Sequence, residues 1–187
     1  MRRLNFAGTR EHALLAFVIQ EAGAHVPYMG RTALQKIMYF LKALDVPMRY
    51  HFEVYHYGPY CDQIPDDVAL LTMDGVVIDK AANKPGYWNY APMADGPISE
   101  LLSDHAEFIA ENRQRVRAVV KAFGKLRPEE LELLATLHYA FRHVAAGRDS
   151  ASRAVVINRF REFKGDKFKD SQINRAYDAM VSAGLIM

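Results

Sequence analysis

The chain has 187 residues, half of them hydrophobic and a quarter charged, with a net charge of +2. That is the composition of one large or two small globular domains, and the charge is too weak to name a polyanionic partner. A single cysteine, Cys61, excludes an internal disulfide and a Cys-rich zinc site, as expected in a reducing compartment. The apolar start is interrupted by Glu11, His12, Gln20 and Glu21, which argues against a signal peptide or a membrane span of roughly 20 apolar residues. A cytoplasmic protein with no membrane partner is expected.

Residues 11–22 predict an amphipathic helix with Ala13, Leu14, Phe17 and Val18 on one side, closed by Gly23. Thr32 is placed to cap a second helix, in which Leu34, Ile37, Met38 and Leu41 recur at helical spacing until Asp45-Val46-Pro47 breaks it. Residues 50–57 alternate as a half-buried strand that Gly58-Pro59 stops. Asp62 is the predicted N-cap of a third helix, with Pro65 in its first turn and Ile64, Val68 and Leu71 inward. Gly75 closes that helix, Val76-Val77-Ile78 leave as a strand, and a hairpin through Pro85-Gly86 returns as Tyr87 to Pro92. This order predicts an N-terminal winged-helix domain over residues 1–96 with the hairpin as its wing.

From Pro97 a long helix over residues 98–123 is predicted as a connecting spine. Its acidic first half and basic second half either complement the helix dipole or leave a basic stripe for DNA. Further helices are expected after Arg127-Pro128-Glu129-Glu130 and over residues 152–163. Setting Gly184 on Gly75 aligns Gln172-Ile173 with Gln63-Ile64 and Leu185-Ile186 with Val76-Val77 without a gap, which predicts a second winged-helix-like unit and leaves a true duplication open. The predicted class is therefore α+β, mostly helical, with a helical domain over residues 97–187 that ends in a partial winged helix.

The run Leu34-Gln35-Lys36-Ile37-Met38-Tyr39-Phe40-Leu41, followed by the Tyr-rich strand and Tyr57-Gly58-Pro59-Tyr60, resembles the YwgA-like family of small prokaryotic proteins. More distantly it is similar to the Panacea, or SocA-like, antitoxin domain. The resemblance covers about residues 10 to 80, and the closing segment from Lys167 to Ile186 also looks like the end of YwgA-like chains. It implies a winged-helix-like fold and a regulatory, antitoxin or antiphage-associated role with no assigned catalytic residues.

Arg159, Arg161, Lys164, Lys167, Lys169 and Arg175 interleave with Phe160, Phe163 and Phe168, a pattern that suits nucleic acid or a solvated basic face. Lys80 and Lys84 offer an auxiliary contact on the wing. Helix three carries Asp62, Asp66 and Asp67 and no cation, which disfavours groove insertion. Those acids either cap the helix start or dock on a basic protein surface. Tyr55, Tyr57 and Tyr60 suit a protein interface or a packed hinge. For catalysis, the opening is Cys61 at a helix start near His56. His51 and His56 leave opposite faces of one strand, so no metal site is predicted, and no cofactor-binding motif occurs.

The expectation is a non-enzymatic regulator that binds DNA or another nucleic acid through the basic C-terminal segment and wing, and a protein through its N-terminal domain. The alternatives are a pure protein-binding module, either an antitoxin holding a toxin or a subunit of an antiphage defence assembly, and a Cys61-dependent activity. A homodimer stays open.

Overall fold

A computed structural model of the protein describes residues 4–23, 25–26, 28–147 and 151–187. The described chain is mostly helical, at 59%, with two small antiparallel hairpins. In order it forms α1 (Arg10–Gly23), α2 (Arg31–Ala43), β1 (Glu53–Tyr55), β2 (Gly58–Tyr60), α3 (Gln63–Met73), β3 (Val77–Asp79) and β4 (Tyr90–Pro92). Then follow α4 (Ile98–Asp104), α5 (Ala106–Phe123), α6 (Pro128–Ala145), α7 (Arg153–Lys164) and α8 (Asp170–Ser182). Among the described residues no helix is long and apolar enough to cross a membrane.

The chain divides into two compact units, and the division differs from a boundary at 96/97. The first comprises Met1–His51 with Cys61–Leu126, and the second comprises Phe52–Tyr60 with Arg127–Met187.

In the first unit, α1 is apolar on nearly every side and packs against α3, α4, α5 and β4. Such a helix must be surrounded, which is why even its Glu11 and His12 are buried. Phe40 of α2 stacks on Phe123 of α5, with centroids 4.0 Å apart and rings 4° from parallel. Asp74, just past α3, accepts hydrogen bonds from the backbone amides of Asn5, Phe6 and Ala7 at 3.1, 2.9 and 2.7 Å. Burial works to raise the Asp74 pKa, and these amides outweigh it and hold the carboxyl below its ordinary range. Strands β3 and β4 pair as the expected hairpin, Val77 opposite Pro92 and Asp79 opposite Tyr90.

Several local expectations need correction. Helix α2 starts two residues early, with Gly30 rather than Thr32 at the N-cap, and Asp62 stands at the N-cap of α3 without a capping hydrogen bond. The long helix is two: α4 and α5 are separated at His105, whose φ of −123° and ψ of 30° are not helical and whose Nε2 lies 3.1 Å from the Gly8 carbonyl. The strand predicted over residues 50–57 is instead the hairpin β1–β2, turning at His56-Tyr57, with Val54 opposite Pro59 and Tyr55 opposite Gly58. Gly58 has φ 83°, the left-handed backbone that lets the chain return this tightly, so Gly58-Pro59 begin the second strand rather than end the first.

In the second unit, α6 is central and packs against α7, α8 and β2. Leu131, Leu137, Val156, Phe160, Phe168, Ile173 and Met180 form the core. Helices α3 and α8 end alike: Gly75 and Gly184 have φ of 68° and 70°, and Val76 and Leu185 donate back to Leu71 and Met180 carbonyls at 2.9 Å each. Leu185-Ile186 nevertheless form no strand. A strand needs a ladder partner, and among the described residues no strand pairs with this segment.

His138 of α6 is buried, and that burial, with Arg142 nearby, lowers its pKa from 6.5 to about 4. Above about pH 6.5 it is neutral both folded and unfolded, and its environment costs nothing. Between pH 6.5 and 4 the unfolded chain takes up a proton that the folded chain refuses, so stability falls as pH falls through that window. The expected loss is roughly 3 kcal/mol. Opening free energies of the α6 amides, measured by hydrogen exchange at pH 7 and 4.5, should reveal the slope, and His138→Gln should flatten it.

Candidate functional site

The second unit contains an ionic cluster that its sequence does not advertise. Lys164, at the end of α7, donates to Glu132 Oε1 of α6 at 2.7 Å and to the His56 carbonyl at 2.7 Å. The two side chains are 2% and 3% exposed, so the pair lies out of water. Lys167 donates to both carboxylate oxygens of Glu132, at 2.8 and 2.9 Å. Burial lowers the Lys164 pKa, and the Glu132 carboxylate opposes that shift. Beside the cluster, buried Thr136 donates to the Glu132 carbonyl at 2.7 Å.

Next to this cluster is an open cleft of about 540 Å³ lined by Val54, Tyr55, His56, Tyr139, His143, Glu162 and Phe163. Its residues come from β1 and its turn, from α6 and from α7. Tyr139 and His143 are one helical turn apart on α6, and both meet Phe163 edge-on, with centroids 5.9 and 6.3 Å away. Tyr55 lies 4.9 Å from the His56 ring. Burial, then Glu53, raises the Tyr139 pKa, so its phenol remains a neutral donor. Glu162 pairs with Arg159. The cleft thus combines flat aromatic rings with two imidazoles, two phenols and one carboxylate, which can stack a planar group and exchange protons beside it.

A smaller cleft of about 260 Å³ in the first unit is lined by Glu11, Arg49, Tyr50, Gln63, Asp66 and Asp67. There Asp67 accepts from Tyr50 Oη at 2.6 Å and pairs with His12 Nε2 at 3.3 Å. Burial, and then the Asp67 carboxylate, raise the Tyr50 pKa. Three carboxylates against one guanidinium make this cleft a poor seat for an anion.

The predicted basic segment is largely committed to its own fold. Lys164 and Lys167 serve Glu132, Arg159 serves Glu162, and Arg161 donates to the Gly165 and Phe168 carbonyls at 2.9 Å and to Asp170. Lys164 therefore does not present its ammonium to a phosphate. Lys169 and Arg175 are exposed, as are Lys80 and Lys84 between β3 and β4. Phe160 and Phe168 are core, while Phe163 reaches the cleft. Tyr55 and Tyr57 are exposed and Tyr60 is half-buried. Asp62 and Asp66 are exposed, and Asp67 is half-buried in its network. Cys61 is buried, and burial raises its thiol pKa. Its backbone is clamped by the Gln35 amide, with Gln35 Nε2 donating to its carbonyl at 2.7 Å and its N–H donating to Gln35 Oε1 at 3.0 Å. This cysteine has neither the access nor the electropositive surroundings of a nucleophile. Among the described residues no group of three or more His, Cys, Asp or Glu is placed to hold a metal ion.

Tyr55, His56 and Phe163 each stand out in the sequence, but nothing there joins them to one another or to Tyr139, His143 and Glu162. No spacing signal could have done so, because the cleft residues of the hairpin and those of α6 and α7 are 83 to 109 positions apart.

No family profile matches the chain. It is 27% identical over 158 residues to a DNA ADP-ribosyl glycohydrolase of Thermus aquaticus; the match covers 84% of this chain and 42% of the relative. It is 26% identical over 130 residues to the uncharacterized protein YwgA of Bacillus subtilis, 70% of this chain and 74% of the relative. The chain thus spans less than half of the first relative's length. The match to a relative named as a glycohydrolase overturns the expectation of a non-enzymatic regulator or a pure protein-binding module. The second match, although weak, supports a YwgA-like relationship.

Proposed function

We propose that this chain takes part in the hydrolytic removal of ADP-ribose from DNA, and that the cleft of the second unit holds the ADP-ribosyl group. The observation that carries this reading is the 158-residue match to a protein named for that reaction. The cleft supports it. Its volume of about 540 Å³ suits a nucleotide-sized ligand. Tyr55, Tyr139 and Phe163 offer ring faces and edges for an adenine, and His56, His143 and the Tyr139 hydroxyl supply donors for pyrophosphate oxygens. In the reaction, water oxygen bonds to the anomeric carbon as the glycosidic bond to DNA breaks; one water proton leaves to a base and the departing DNA atom gains a proton. Glu162, the carboxylate lining the cleft, serves as base or stabilises the developing ribosyl cation, and His143 is the proton donor. The succession α1, α2, α3 and the β3–β4 hairpin also supports reading the first unit as winged-helix-like, with that hairpin as the wing.

The test is release of free ADP-ribose from an ADP-ribosylated oligonucleotide, followed chromatographically, together with calorimetric titration of ADP-ribose. Release by the wild-type chain is expected, falling about 100-fold or more in Glu162→Gln, the scale of a lost acid–base group. A wild-type chain that neither releases nor binds ADP-ribose overturns the reading.

A further inference from the structure

We propose that Lys164 is a positioning residue for this cleft, a buried latch that fixes the His56 turn against α6 and α7. The inference rests on the reading of the cleft as the ADP-ribosyl site and deepens it. A two-stranded hairpin of three residue pairs is marginal by itself, so the placement of His56 and Tyr55 must be imposed from outside.

Three contacts impose it, all at the turn. The Lys164 ammonium donates to the His56 carbonyl at 2.7 Å while Glu132 holds that ammonium from the other side. Lys167, on the same carboxylate, stands 5.4 Å above the Tyr57 ring. Gly58 lies so close to α6 that a Cβ there would be 2.3 Å from Thr136 Oγ1.

Lys164 directly follows Glu162 and Phe163, and Glu132 lies two helical turns before Tyr139 on α6. One buried ion pair therefore ties together all three walls of the cleft. Charges removed from water gain little net stability over an apolar pair of similar size. The polar pair does what an apolar one could not, which is to grip a specific backbone carbonyl and thereby set the position of one residue.

The variant Lys164→Met tests this. A second variant, Lys164→Met combined with Glu132→Gln, guards against misfolding by a buried carboxylate left with Lys167 alone. Amide hydrogen exchange by NMR should give wild-type protection in α6 and α8, with protection at Tyr55 and Gly58, which pair across the turn, reduced roughly tenfold, the effect of losing one charge-assisted hydrogen bond. ADP-ribose affinity and KM should weaken by a similar factor with kcat changed less. Unchanged hairpin exchange in a folded variant overturns the latch. So does a loss of kcat at constant KM. If the wild-type chain fails to bind ADP-ribose, the functional reading falls, and the exchange measurement still decides the latch by itself.

Discussion

Gly58→Ala is expected to destabilise the second unit by about 2–4 kcal/mol. Two costs combine. The backbone at Gly58 has φ 83°, and a side chain in that left-handed region costs roughly 1–2 kcal/mol. The new Cβ would also stand 2.3 Å from Thr136 Oγ1. Thr136 is fully buried and donates to the Glu132 carbonyl, so rotating its hydroxyl away strands a buried polar group at about 1–3 kcal/mol. Urea unfolding followed by circular dichroism and by exchange of the α6 amides would measure the loss. Combining Gly58→Ala with Thr136→Ala should recover part of it, by removing the collision and leaving the backbone strain. A Gly58→Ala protein as stable as the wild type would mean that the hairpin does not lie against α6 at this distance.

The second large effect belongs to the first unit. Phe40→Ala should cost about 3–5 kcal/mol, the range for emptying a buried aromatic site. Phe40 is fully buried, its face is stacked on Phe123 and its edge meets Tyr39 at 5.4 Å, so helices on either side would have to collapse to fill the space. Trp88, the single tryptophan, lies in the same unit with Arg31 4.0 Å over its ring, so its fluorescence reports the transition. Phe40→Leu should lose much less, because it keeps most of the volume and forfeits the ring stack.

The comparison of α3 with the β1–β2 hairpin indicates how far sequence reading reaches. For α3, the Asp62 start, the Gly75 stop and the inward Ile64, Val68 and Leu71 are all where periodicity and punctuation put them. The same rules placed α1, α2, α6, α7 and the β3–β4 hairpin to within a few residues. These are consequences of short-range forces: propensity, capping and the spacing of apolar side chains act within about one turn of chain. The hairpin failed on one such rule because Gly-Pro reads as punctuation wherever it falls, whereas here the left-handed glycine completes the turn and the proline pairs within the second strand.

Charge was where local reading misled most. Lys164 belongs in sequence to a basic run, and the sequence gives no sign that Glu132, 32 residues earlier, will neutralise it in the core. Arg161 likewise reads as a surface cation and instead binds the loop between α7 and α8. Periodicity registers that a residue is polar. It does not register which distant group will desolvate it, because that depends on which helices pack together.

By itself, then, the sequence determined α1, α2, α3, α6 and α7, their apolar faces and the β3–β4 hairpin, because each follows from interactions among near neighbours. The tertiary structure decided the rest. It carried residues 52–60 into the second unit, made Lys164 and Glu132 a buried pair, and gathered Tyr55, His56, Tyr139, His143, Glu162 and Phe163 around one cleft. Those outcomes arise when preformed elements bury their faces against one another, and the residues that meet there lie too far apart in the chain for any local pattern to encode them.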